Sequence, residues 1–196
     1  LARESGPNGP DLLLSVAGKT FAVEVLNTST AGQVVARAER ATKAARTIHG
    51  RALPMVAVPF MGDAGKQACE RAGVSWFDFS GNARIIAPGI RVIVDGRPNR
   101  FRSRGRPASA FAPKSSRVAR YLLMRAGEAV IQREIARATG VSEGFVSRIV
   151  GRLEEERYIE REQDGALRVK DPRLLLEAWR EQYRFIKHTV IQGHVV

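Results

Sequence analysis

The stretch QREIARATGVSEGFVSRIVGRLEEERYIERE, Gln132 to Glu162, decides how the second half of this chain folds. Its apolar residues recur twice at helical spacing, with a break at Gly140-Val141-Ser142 between the two runs. On the first run Ile135 and Ala136 point inward. Gly140 allows a tight turn, Val141 plugs the gap between the helices, and Ser142 is a natural N-cap for the second. In that second helix Phe145, Val146, Ile149, Val150 and Leu153 are expected to form one buried stripe. Ser147, Arg148, Gly151 and Arg152 remain on the outer face. Those are short donors and long cations, suited to phosphates and guanine edges.

Working outward, YIEREQDGALRVKD reads as two short strands joined at Asp164-Gly165, a strong hairpin signal. The hairpin carries Arg161, Arg168 and Lys170, a basic wing beside the second helix. Amphipathic spacing predicts helices over Ser116–Ala126, Gln132–Thr139 and Glu143–Arg157. Pro172 opens a last helix, as proline at a first turn favours. Its Leu174, Leu175, Leu176, Trp179, Tyr183, Phe185 and Ile186 exceed what a small domain covers, which points to a dimer contact or further packing.

Taken whole, residues 116–172 resemble the winged helix-turn-helix of bacterial transcription regulators. The resemblance implies double-stranded DNA as partner, a helix docked in the major groove, and a homodimer on palindromic sites. It implies contacts from Ser142, Ser147, Arg148, Arg152, Arg161, Arg168, Lys170 and Arg117. Glu143 and Glu154–Glu156 oppose phosphates and are expected to point away from DNA. The alternative is the same fold used only for protein contacts.

Composition agrees with a polyanion partner. The net charge is +12 and the pI near 10.9, a field that favours nucleic acid or an anionic surface. No run of about 18 apolar residues exists, so no spanning helix and no membrane partner is expected. One cysteine, Cys69, excludes an internal disulfide, and with His49, His188 and His194 it cannot build a Cys/His zinc site. A cytoplasmic, nucleoid-associated setting is expected. Residues 1–96 hold 11 Lys/Arg against 8 Asp/Glu, whereas residues 97–196 hold 21 against 12. The change falls at RPNRFRSRGRPASAFAPKSS, an aperiodic Arg/Pro/Ser-rich linker. Its Arg97, Arg100, Arg102, Arg104 and Arg106 either reach along phosphates and into a minor groove or form a solvated tether. The expected domains are 1–96, a linker over 97–115, the winged helix over 116–172, and a C-terminal helix over 173–196.

Before the linker, strands are predicted at Leu12–Val16, Phe21–Leu26, Met55–Phe60 and Val74–Phe79, with a closing hairpin of Arg84–Ile86 and Arg91–Val94. Helices are predicted at Ala31–Ile48 and Gly65–Ala72. The order β-β-α-β-α-β implies an α/β domain with right-handed crossovers. Within it PDLLLSVAGKTFAVEVLN, Pro10 to Asn27, resembles the start of a PD-(D/E)xK nuclease, with Asp11 and Glu24 on neighbouring strands. In such enzymes two carboxylates hold a divalent metal and a lysine polarises water. Here Leu26 stands where the lysine is needed. Lys19, assigned to the hairpin turn, and Lys43 are remote, while Gln33 or Asn27 could only complete a polar pocket. A restriction-endonuclease-like α/β domain without activity and without a cofactor is therefore expected. A Mg²⁺-dependent endonuclease is the alternative.

The segment GVSWFDFSGNARI, Gly73 to Ile85, resembles a signature of AbiEi-like antitoxin regulators of type IV toxin–antitoxin systems. That resemblance implies a possible toxin partner and DNA contact for autoregulation. Its local reading is simpler: Asp78 and Asn82 cap a strand and turn. No Ser/His/Asp arrangement is visible, and GKT at Gly18–Thr20 lacks the glycine and helix of a phosphate loop.

Overall fold

The computed structural model describes residues 9–48, 52–101 and 109–183. The chain divides into two compact units, Leu1–Arg104 and Gly105–Val196, with the division inside the Arg/Pro/Ser-rich segment.

In the first unit β1 (Leu12–Val16), β2 (Lys19–Val25), α1 (Ala31–Thr47), β3 (Leu53–Val58), α2 (Asp63–Arg71), β4 (Ser75–Asp78), β5 (Ala83–Ala87) and β6 (Ile90–Val94) follow one another. All six strands form one sheet in chain order. The centre, β2-β3-β4, is parallel, because a helix crosses between each pair. Antiparallel hairpins extend it at both edges. Ala17 and Gly18 both have positive φ, 48° and 73°, so a two-residue turn joins β1 to β2. Lys19 pairs with Val16 and so begins β2 rather than lying in the turn as expected.

Both helices cover the same face of the sheet. Val34 and Ala38 of α1 and Cys69 of α2 pack with Val56, Val58, Met61 and Trp76 in one buried cluster. Alanine at Ala38, Ala41, Ala44 and Ala45 lets α1 lie close to the strands. Gly65 lets α2 lie close to Met61 and to α1, since a Cβ there would stand 2.7 Å from Met61 Sδ and 3.6 Å from Val34 Cγ2. The opposite face carries Phe21, Val23, Met55 and Ala57, all fully buried, each worth about 1.5–3 kcal/mol if a large side chain. Gly73, at φ 65°, ends α2 in a Schellman motif, donating to Glu70 O while Val74 N donates to Cys69 O. Burial pushes the Cys69 thiol up to about 12, so it is inert.

The second unit holds α3 (Ser116–Met124), α4 (Gln132–Thr139), α5 (Glu143–Glu155), β7 (Ile159–Arg161), β8 (Leu167–Val169) and α6 (Pro172–Gln182). Helix α5 stops two residues before the predicted end, because Arg157 takes a left-handed φ of 66°. Arg157 N then donates to Glu154 O and Tyr158 N to Leu153 O. β7 and β8 pair antiparallel, and a bridge from Val130 to Leu167 adds a third short edge. Asp171 caps α6 through the backbone N–H groups of Arg173 and Leu174. Leu174, Leu175 and Ala178 are buried, and α6 packs on α3. That accounts for part of its apolar surface without a second copy. Leu176 is exposed, and Phe185 and Ile186 lie outside the described residues.

Candidate nucleic-acid interface

Gly140 ends α4 in the left-handed conformation, φ 66°, and its N–H donates to Ala136 O. Only a residue that tolerates positive φ lets the chain reverse this tightly. Val141 is buried beneath the turn, and Ser142 Oγ accepts from Phe145 N at 3.4 Å as the N-cap of α5. Val146, Ile149, Val150 and Leu153 form the buried stripe. Phe145 departs from the expected pattern. It is only partly buried, and its ring lies under two cations, Lys114 at 4.9 Å and Arg148 at 5.3 Å. A half-exposed ring can steer the flexible arginine by cation–π attraction.

The expected DNA contacts fall into two groups. Ser142, Ser147 and Arg148 are exposed along α5, Arg117 on α3 and Lys170 after β8. The other arginines are engaged by acids. Arg152 Nε pairs with the buried Glu156 at 2.9 Å. Arg161 pairs with Glu154 at 3.1 Å, and Arg168 pairs with Glu162 at 2.6 Å and donates to Gly127 O. Their charge is thus largely compensated within the unit. Glu154 and Glu156 are held by these arginines, which explains acids so close to a basic helix. Glu143 remains exposed at the start of α5, 3.5 Å from Arg133. Lys114 was missed by sequence reasoning, because it sits in the aperiodic linker and reaches Phe145 only through the fold. Arg100 is described and exposed, whereas Arg102, Arg104 and Arg106 lie outside the described residues.

Asp11 and Glu24 do come together, but with two arginines rather than a lysine. Glu24 has no exposed side-chain surface and sits on the helix-facing side of β2, aligned with Val56 of β3. Arg37 Nη1 donates to its Oε2 at 2.9 Å, and Arg40 Nε stands 3.1 Å from Oε1 without hydrogen-bond alignment. Asp11 lies 3.8 Å from Arg37 and 3.9 Å from Arg40, and accepts from Val25 N at 2.8 Å. Burial pushes the Glu24 carboxyl above its ordinary value, against the Arg37 hydrogen bond. Two acids already matched by two guanidiniums are a poor donor set for a divalent cation, which needs several free oxygens. Among the described residues no group of three or more His, Cys, Asp or Glu side chains could hold a metal. Gln33 accepts a hydrogen bond from Thr28 Oγ1, and Asn27 is exposed.

The Asp78–Asn82 segment is a closed polar box. Asp78 accepts from Met61 N at 3.0 Å, from Asn82 N at 2.8 Å and from Asn82 Nδ2 at 2.9 Å. Asn82 also exchanges two bonds with the backbone of Arg97, and Ser80 Oγ accepts from Arg100 N at 3.3 Å. The box therefore does more than cap a turn: it pins the first residues of the linker to the first unit.

The model of the MarR family matches residues 113–166. That stretch runs from just before α3 into the wing, so the second unit carries a MarR-like winged helix. MarR-family regulators bind double-stranded DNA, and a domain of this kind suggests DNA-binding transcription regulation. No curated protein and no solved structure matches the chain. Among the described residues, no helix is long and apolar enough to cross a membrane.

Proposed function

We propose that this chain is a sequence-specific transcription regulator whose winged helix docks α5 in the major groove of double-stranded DNA. One observation carries the reading: Ser147 and Arg148 stand exposed on a helix set by the left-handed Gly140, within the segment that matches the MarR family. Arg148 would read a base edge, while Arg117 and Lys170 would take phosphates. A second copy on a palindromic site is the arrangement such readers use. The first unit then acts as a scaffold rather than a nuclease. Supporting this, Arg37 and Arg40 neutralise the acids that would otherwise hold a metal.

The test is selection of genomic DNA fragments by the purified chain, with and without Mg²⁺ or Mn²⁺. Enrichment of a small set of uncut fragments under both conditions is expected. Enrichment without sequence preference would sink the regulator reading. Metal-dependent cutting, abolished by Glu24→Ala, would sink the scaffold reading alone.

A further inference from the structure

A row of aromatic rings in the first unit is used by none of these sites. Phe77, Phe79 and Phe101 follow one another edge to face, with centroids 5.9 Å and 6.5 Å apart. Phe77 packs on the sheet cluster, whereas Phe79 and Phe101 are 49% and 52% exposed. Phenyl rings left half in water forgo burial that a core would reward. Their backbone is nonetheless well held. Phe79 N donates to Val58 O at 3.0 Å, Phe101 N to Asn99 Oδ1 at 2.8 Å, and Arg97 N to Asn82 Oδ1 at 2.8 Å.

Two arginines lie close to these rings along the chain: Arg100 directly precedes Phe101, and its N–H donates to Ser80 Oγ, the residue after Phe79, at 3.3 Å. Arg97 and Arg100 are both exposed, and neither stands in an ion pair with another described residue. Arg97 lies against Gly81 of the turn that follows Phe79, with its Cγ 3.7 Å from where a Cβ on Gly81 would stand. The nearby acid Asp95 is taken by Lys66 at 2.7 Å. The surface thus offers two half-exposed rings with exposed arginines at neighbouring chain positions, and its backbone is fixed in advance. An unpaired nucleotide matches both parts, a flat base for the ring and a phosphate for the cation. A duplex keeps its base faces stacked and cannot present them.

We propose that Phe79 and Phe101, with Arg97 and Arg100, form a stacking site for unpaired bases of a single-stranded nucleic acid. The site lies in the first unit and is separate from duplex reading by α5. Fluorescence anisotropy of the full chain tests it with a labelled oligo-dT of about twelve nucleotides, the matching oligo-U, and a duplex. Phe79→Ala and Phe101→Ala should each weaken strand binding about ten-fold and leave duplex binding unchanged. Phe101→Trp should keep the affinity, and its emission should be quenched by the strand. Arg100→Gln leaves every ring in place and should lower strand affinity and flatten its salt dependence. Tighter binding of oligo-U than oligo-dT would identify RNA through its 2′-hydroxyls. Arg148→Ala should weaken the duplex alone, which keeps this result distinct from the regulator reading. A wild-type chain that binds neither strand overturns the proposal. So do folded alanine variants that bind strands at wild-type affinity, equal losses on strand and duplex, or strand binding indifferent to Arg100→Gln.

Discussion

Arg37 Nη1 lies 2.9 Å from Oε2 of Glu24, a carboxylate with no exposed surface. A second acid, Asp11, stands 3.8 Å from the same guanidinium. Because α1 crosses directly over β2, the guanidinium reaches Glu24 from above, and Arg40 approaches the second oxygen one turn later. The consequence for stability is direct. Arg37→Met should lower the unfolding free energy by about 1–3 kcal/mol. That is below the cost of breaking a fully buried pair, because water screens the arginine and Arg40 remains. Urea unfolding of the variant checks it, and an unchanged midpoint would show that the pair is idle.

The same site sets a pH dependence. Burial raises the folded-state affinity of Glu24 for its proton above that of the unfolded chain. Its contribution therefore improves as pH falls through the raised folded value, and levels off below the ordinary carboxylate range. Relative to Glu24→Gln, the wild-type urea midpoint should gain from about pH 7 to about pH 4. A difference that shrinks over this range would contradict the assignment. Asp95, held low by Lys66, works in the opposite direction but is common to both proteins and cancels.

Arg148 and Arg152 lie one turn apart on α5 but should behave differently. Arg148→Ala removes an exposed cation and should cost about 1–3 kcal/mol of duplex affinity while relaxing sequence preference. Arg152→Ala removes an ion-pair partner of the buried Glu156, and should lower the melting temperature with little change in DNA affinity. Paired measurements of melting and duplex binding separate the two.

Asn82→Ala should be costly out of proportion to its size. It removes two donors to Asp78 or Arg97 O and an acceptor for Arg97 N, leaving Asp78 buried with fewer partners. A loss of about 2–4 kcal/mol is expected, with hydrogen exchange rising first at Met61 and Arg97. Exchange confined to the turn itself would mean that the box does not hold the linker.

Arg157 offers a gain instead. It occupies a left-handed conformation at the end of α5, which costs a side-chain-bearing residue about 1 kcal/mol. Arg157→Gly should raise the melting temperature by a few degrees. Replacement by alanine should not.

Much of the fold was legible because local physics dictates it. The residue pattern of Gln132–Thr139 placed α4 with the bounds it has, since apolar spacing and Gly140 mark both its face and its end. The parallel centre of the sheet followed from strands alternating with helices. The end of α5 was misplaced because nothing local says that Arg157 takes positive φ; the Schellman bonds to Leu153 and Glu154 impose it. Phe145 was placed in the core because helical spacing cannot tell a buried ring from one covered by Lys114 and Arg148.

Sequence alone thus determined where most helices and strands of the described residues fall, and that a winged helix follows the Arg/Pro/Ser-rich segment. Those features rest on period, caps and turn residues, interactions spanning a few positions. Tertiary structure alone decided the partners of the charges. Glu24 meets Arg37 thirteen residues away, Asp78 holds the loop at Met61 seventeen away, and Asn82 grips Arg97 fifteen away. Electrostatic and hydrogen-bond partners depend on distance through space, and distance through space is what folding supplies.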